Sequence, residues 1–477
     1  MGRAGLVALV VLAPLPFASQ HPLAWSVLGL LVGALLLLWA GAAALDRGQI
    51  SSLTPRLWPL LALFALAPLW TVVQVGDWTP RGWHSPLWQL ARFAVPEASG
   101  RITIDPHATA TAVMRLLTYG GVFWLAFQYG RSVRFARVLV KALTAAGLVY
   151  AAYGLYVYTS GLNLVLWLPR PCCRGDLAST FVNRNHYAPY AGIGLLCALG
   201  LILTTLPKDG SALCRSGARL SLVATLARSW WRALAAALLA MAVVLTHSRG
   251  GLLATVLGLT TLMLTLGAVG VVSRRTLQVG AILVAIGGGA MVYLVGERTI
   301  HRFEDLLGDL EVASQVADPD AGGLRPRNLR RLDVYDRVWA ALADAPVTGT
   351  GFGTFPDAFR WHQGAVAGFF DYAHNTYLEA AMELGAPVAC ALLAAVAGAV
   401  GLCIQGLRAR RHHRLYPALA VSAAALFGSH ALFDFSVQIP AVAITFAALL
   451  GIGCAQSFRQ VRRAARPRQG SSEIADG

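Results

Sequence analysis

Most of this 477-residue chain is apolar, and one polar block, residues 325–383, interrupts it. The block holds Arg331, Arg337 and three glycines (Gly349, Gly351, Gly353), then His374 and Asn375 at the head of HNTYLEAAMELG. A further arginine, Arg249, lies far upstream in LTHSRGGLLA, where one apolar stretch ends and the next begins. A guanidinium offers a planar fork of donors to an oxyanion, and an imidazole can accept or place a proton near neutral pH. Arg249, Arg331 and His374 on one side of a bilayer would suit a diphosphate gripped by guanidinium forks while a hydroxyl is activated. Each residue also has a plainer reading alone. Arg249 would be a snorkelling anchor, Arg331 a partner of Asp333 or Asp336, and His374 a surface residue at a helix start.

The elements that must position these residues are membrane spans. With 56% hydrophobic and 13% charged residues the chain is too apolar for a soluble protein, and its apolar runs reach the roughly 20 residues that cross a bilayer. The fold class expected is all-α, a polytopic integral membrane protein with about twelve spans. They fall near 4–18, 22–45, 56–75, 109–129, 136–159, 187–206, 230–247, 250–270, 275–295, 386–406, 415–432 and 438–457. The first is short and follows Arg3, as a signal peptide would, but its removal would break the charge pattern of the loops.

With the N-terminus inside, the inner segments hold 23 of the 39 basic residues and four acids, so the net charge of +16 is topological rather than a nucleic-acid surface. The outer segment 296–373 carries eight arginines and twelve acids. The organisation expected is therefore spans one to nine within 1–295, with short outer segments at 76–108 and 160–186. A large helical outer loop then occupies 296–385, three spans occupy 386–458, and a disordered basic inner tail occupies 459–477.

Trp78, Trp83 and Trp88 in the first outer segment suit the headgroup layer, and Asp105 with Pro106 reads as a helix start. A helix is expected after Gly296, a loop at DPDAGG (318–323), and a second helix over RLDVYDRVWAALADAP, ended by Asp344 and Pro346. Arg331 and Arg337 are six residues apart and need not share a face of that helix. GTGFGTF follows no strand and reads as a tight turn rather than a nucleotide loop. Asp333 with Asp336, or Asp318 with Asp320, lacks a supporting histidine or third carboxylate, so no metal is expected. The seven cysteines form no CxxC pair, and adjacent Cys172 and Cys173 read as free thiols.

LTHSRGGLLA at Leu245, RLDVYDRVWAALADAPVTGTGFGTF at Arg331 and HNTYLEAAMELG at His374 closely resemble the three signature segments of the O-antigen ligase and polymerase family, the Wzy_C type. STFVNRNHYAPYAG at Ser179 and RITIDPHATATAVMRLLTYGGVFWLA at Arg101 resemble two further segments of members from exopolysaccharide and O-glycan clusters. The resemblance implies a bacterial inner-membrane glycosyltransferase of the GT-C type with a periplasm-facing site. It would move glycan from undecaprenyl diphosphate to an acceptor hydroxyl with inversion, without metal or other cofactor. The resemblance makes Arg249 and Arg331 the diphosphate grips and His374 the residue needed for transfer, with Arg337 as fallback. Asn183, Arg184, Asn185 and His186, with Asn375, would help bind glycan or phosphate. Tyr335 stands where tryptophan is usual, and His247 where a small residue is commoner.

The acceptor is left open by the resemblance: a growing repeat-unit polymer, lipid A core, or protein in an O-oligosaccharyltransferase. A transporter or flippase is the alternative from another class. It would place charge at mid-span depth, where only Arg115 and Asp434 stand.

Overall fold

The computed structural model describes residues 2–15, 17–45, 55–170, 175–205, 229–280, 282, 289, 327–363 and 370–458, with the backbone alone for 327–333. Among these the chain is helical apart from a two-stranded hairpin, β1 (Leu164–Val165) and β2 (Leu168–Pro169). Eight helices are long and apolar enough to cross a membrane, and the protein is polytopic. They are α2 (Pro22–Leu45), α3 (Trp58–Val75), α5 (Pro106–Gly130), α6 (Val133–Thr159), α7 (Arg184–Leu203), α9 (Arg249–Ala268), α13 (Ala386–Ala409) and α15 (Pro440–Ser457). Shorter apolar helices are α1 (Gly2–Leu12), α8 (Trp230–Leu245) and α14 (Leu415–His430).

Eleven of the twelve expected spans thus coincide with an apolar helix. The twelfth, 275–295, is helical over 274–280 and otherwise falls almost wholly outside the described residues. So do the helix expected after Gly296, the DPDAGG loop, Cys172, Cys173 and the basic tail. The first helix stops at Leu12 rather than near residue 18. Pro14 explains the early stop, because its ring and missing N–H oppose helix continuation.

The remaining helices gather at one end of the bundle: α4 (Leu87–Ala94), α10 (Arg327–Asp344), α11 (Phe355–His362) and α12 (Thr376–Leu384). Helices α7 and α15 form the centre, 83% and 89% buried over their apolar windows, whereas α2 and α3 are 17% buried and present leucines outward. Outward leucine costs nothing where the solvent is lipid, which is how this chain tolerates so apolar a surface.

Gln74, at the end of α3, shows how the polar elements are moored to the spans. Its amide nitrogen donates to the carbonyls of Thr348 and Glu383 (2.8 Å each), and its oxygen accepts from Phe352 N–H (3.1 Å). Asp105 caps α5 as expected, accepting from His107 and Ala108 N–H (2.8 and 3.0 Å), with Pro106 in the first turn. The loop ahead of α5 joins the glycine turn through Ile104 N–H to Thr350 carbonyl (3.2 Å). Gly349, Gly351 and Gly353 all have positive φ, and a Cβ at Gly349 would overlap the Glu383 carbonyl while one at Gly351 would overlap Thr103. The turn is built on glycine for both reasons.

The opposite end is closed by backbone carbonyls and arginines. Arg414 donates to Val269 carbonyl, Arg410 to Phe458 carbonyl, and Gln456 to Gly130 carbonyl. Among the described residues every aspartate and glutamate lies at the first end, and this second end carries only basic charge.

Candidate functional site

The site forms where α7, α9, α12 and α14 end or begin, and Asp434 is its centre. Asp434 follows α14 and is 3% exposed, with its Oδ1 accepting from Phe435 N–H (2.7 Å). The same oxygen lies 3.5 Å from His186 Nε2 and 3.9 Å from His374 Nδ1. Burial alone would push this carboxyl up, but the two imidazoles, with His430 nearby, hold it well below the ordinary carboxylate range. The two separations are longer than a good hydrogen bond, so the attraction is that of an anion flanked by two rings rather than of two tight bonds.

His374 is placed by backbone on both sides. Its φ of 54° is the left-handed conformation, strained for a side chain of this size. It is held there because the preceding Ala373 N–H donates to Glu379 Oε2 (2.7 Å), and its own carbonyl accepts from the Tyr335 hydroxyl (3.1 Å). Asn375 then caps α12, accepting from Tyr377 and Leu378 N–H (3.1 and 3.2 Å). Thr376 N–H reaches Ala431 carbonyl (2.9 Å), and Tyr377 hydroxyl reaches Gly428 carbonyl (2.7 Å), so α12 is stitched to the end of α14. The Tyr372 ring stacks on Phe435 with centroids 3.8 Å apart, walling off the carboxylate. The His374 ring remains partly open, 27% exposed.

Glu379 and Glu383, four residues apart on α12, lie beneath and are fully enclosed. Burial raises both; the Glu383 charge adds to the rise at Glu379, where the Ala373 N–H, Gln438 and Arg115 oppose it. Glu383 is pushed up to about 7 against the opposing Gly353 and Phe355 N–H groups and Arg115. Its Oε1 accepts from Phe355 N–H (2.9 Å), tying α12 to the start of α11.

Arg249 opens α9 behind Ser248, which caps it by accepting from Gly251 N–H (3.2 Å). The neighbouring Gly250 faces His430, whose Nδ1 lies 3.0 Å from Ser436 Oγ. Preceding the cap, His247 Nδ1 lies 2.9 Å from Asp176 Oδ1, and the other Asp176 oxygen pairs with Arg184. Arg331 lies one helical turn ahead of Tyr335 on α10, and its side chain is outside what the structure describes.

A sequence of short contacts therefore links the three motif segments: Gly250 beside His430, Ala431 to Thr376, and His374 to Tyr335. Residues 234–393, from the start of α8 into α13, match the O-antigen ligase family, Wzy_C. Over this stretch the chain is similar to an O-antigen ligase domain. No curated protein matches the chain. The matched stretch holds Arg249, Arg331, Arg337, His374 and Asn375.

Arg337 aside, the other residues expected at the site also make structural contacts. Arg337 is exposed on α10, whereas Val334 and Val338 are buried against Phe355 and Met382. Asn183 spends its amide oxygen capping α7, accepting from Asn185 N–H (2.8 Å), and Asn375 does the same for α12. Arg184 is paired with Asp176, Asn185 carbonyl faces Ser436 Oγ (3.4 Å), and His186 is 2% exposed beside Asp434. Nothing in the sequence alone singles out Asp176, His430 or Phe435, and Asp434 stands out there only as a mid-span exception. Asp434 had a signal: it is the one acid between Leu415 and Phe458.

Proposed function

We propose that this protein is a glycosyltransferase of the O-antigen ligase or polymerase type, working at the end of the bundle that carries His374. The observation that supports this best is the run of contacts joining Gly250, next to Arg249, with the His374 segment and the helix of Arg331, all within the stretch that matches the ligase family. In this reading the chain crosses the bacterial inner membrane twelve times and the site faces the periplasm, as the excess of basic residues at the opposite end supports.

The donor is a glycan on undecaprenyl diphosphate, its lipid tail between spans. Arg249 and Arg331 grip the diphosphate and neutralise the charge that develops as the anomeric C–O bond breaks. His374, with Nδ1–H turned to Asp434, keeps a lone pair on Nε2 that accepts the proton of the acceptor hydroxyl as its oxygen forms the new bond. Attack opposite the leaving diphosphate inverts the anomeric centre. Asp434 stays anionic and favours the imidazolium as it forms, a positioning role exercised through His374. No metal or cofactor takes part.

The acceptor is taken as a growing O-antigen or exopolysaccharide repeat, with lipid A core or protein as the other outcomes. Purified protein given lipid-linked repeat units should yield longer lipid-linked chains in the presence of chelator. Transfer only to added lipid A core would make it a ligase, and transfer to a protein hydroxyl an oligosaccharyltransferase. No transfer to any acceptor, with movement of the intact lipid-linked glycan across the bilayer, would replace the reading by a flippase.

A further inference from the structure

At the end of the bundle away from Asp434, α1 and α6 splay and leave an open apolar groove of about 810 Å³. Val7 and Val11 wall it on α1, and Val138, Ala142 and Val149 on α6. Alanines at 4, 8, 142 and 145 hollow it, since each replaces a side chain that would otherwise fill the gap. Arg3 and Arg134 stand exposed at one mouth, beside Ser132. Toward the far end the Tyr150 hydroxyl donates to Val11 carbonyl (2.8 Å) and ties the helices together.

Two features of this groove point to its occupant. The first is charge: both guanidiniums are exposed, and among the described residues no carboxylate occurs at this end to pair with them. Their fork geometry and weak hydration favour a phosphate oxygen over water. The second is length. Arg3 and Leu12 are nine residues apart on α1, about 14 Å along its axis. One leaflet contributes roughly 15 Å to a hydrocarbon core of about 30 Å. A chain that enters between the arginines and runs the length of the groove therefore ends at mid-bilayer, as an acyl chain of one leaflet does.

We propose that the groove between α1 and α6 binds one anionic phospholipid of the bilayer, its phosphodiester between Arg3 and Arg134 and an acyl chain laid along the alanine-lined wall. The site is separate from the histidine end, whatever the protein transfers there. Its effect would be to fix α1, the shortest of the apolar helices, against the bundle.

The test is native mass spectrometry of the purified full-length protein titrated with phosphatidylglycerol or phosphatidylethanolamine. One phosphatidylglycerol should be retained in preference to phosphatidylethanolamine. At about fivefold in affinity per basic residue, Arg3→Ala with Arg134→Ala should weaken it about twenty-five-fold, and each single change about fivefold. Ala142→Phe, which fills the groove and leaves the charges, should also displace the lipid. Arg408→Ala with Arg411→Ala removes two charges from the same end but outside the groove and should leave retention unchanged. Equal retention of the two lipids overturns the proposal, as does equal loss in the Arg408 and Arg411 pair, which would mean a diffuse lipid annulus. Displacement by an equal concentration of a polyprenyl phosphate would also overturn it in favour of an isoprenoid site. Should the double variant fail to give a monodisperse protein, the two single variants carry the same comparison.

Discussion

The two ends of this bundle are built from opposite chemistry. At one end lie all the described carboxylates, with His186, His247, His374 and His430 among them, on short helices and tight turns. At the other, arginines close helix ends by donating to carbonyls such as Val269 and Phe458, and no acid is present among the described residues. The difference teaches that net charge is uninformative here and its distribution is not. In the proposed topology the basic end faces inward and meets lipid, while an end with mixed charge in buried contact can tune protons and hold an anion.

That contrast can be broken most directly at His374. His374→Ala should lower glycan transfer about a thousandfold with the protein still folded, the range expected for loss of a general base. Arg249→Ala should cost about a hundredfold through the leaving diphosphate, seen in kcat rather than in protein yield. Transfer at normal rate in either variant would remove the histidine end from the chemistry.

Gly349→Ala should destabilise the protein by about 2 kcal/mol, because its positive φ and the Glu383 carbonyl both exclude a Cβ; a thermal melt checks it. Asp434→Asn should lower activity about tenfold and shift the pH at which activity is half lost, a readout that a merely structural role would not move. The smallest effect concerns Glu383. Folding raises its carboxyl to about 7, so the protonated form is the one folding favours. Stability is then fully present below the ordinary carboxylate range and is lost as pH rises towards about 7. Glu383→Gln should flatten that decline in a series of melts from pH 5 to 8. Arg408→Ala with Arg411→Ala at the other end should leave transfer within about twofold, and a hundredfold loss there would erase the contrast between the ends.

Much of the architecture was legible because a membrane chain writes its spans in composition. Runs of about 20 apolar residues have no other stable use, and Asp105, Pro106, Asn375 and Pro346 mark starts and stops by local backbone chemistry. Gly385 separates α12 from α13, and its φ of 76° breaks the helix outright. The short first helix was foreshadowed by Pro14, which a hydropathy window averages away.

What the residue order determined by itself was the set of spans, the charge asymmetry and the three motif segments, since each depends on neighbours within a few turns of chain. What only the tertiary structure decided was the company those residues keep: Asp434 between His186 and His374, Asp176 between Arg184 and His247, and Asn183 and Asn375 occupied as caps. Those pairings join residues up to 248 positions apart along the chain, Asp434 and His186 being the widest. No local periodicity encodes them, because they arise only when packed helices bring distant ends to one place.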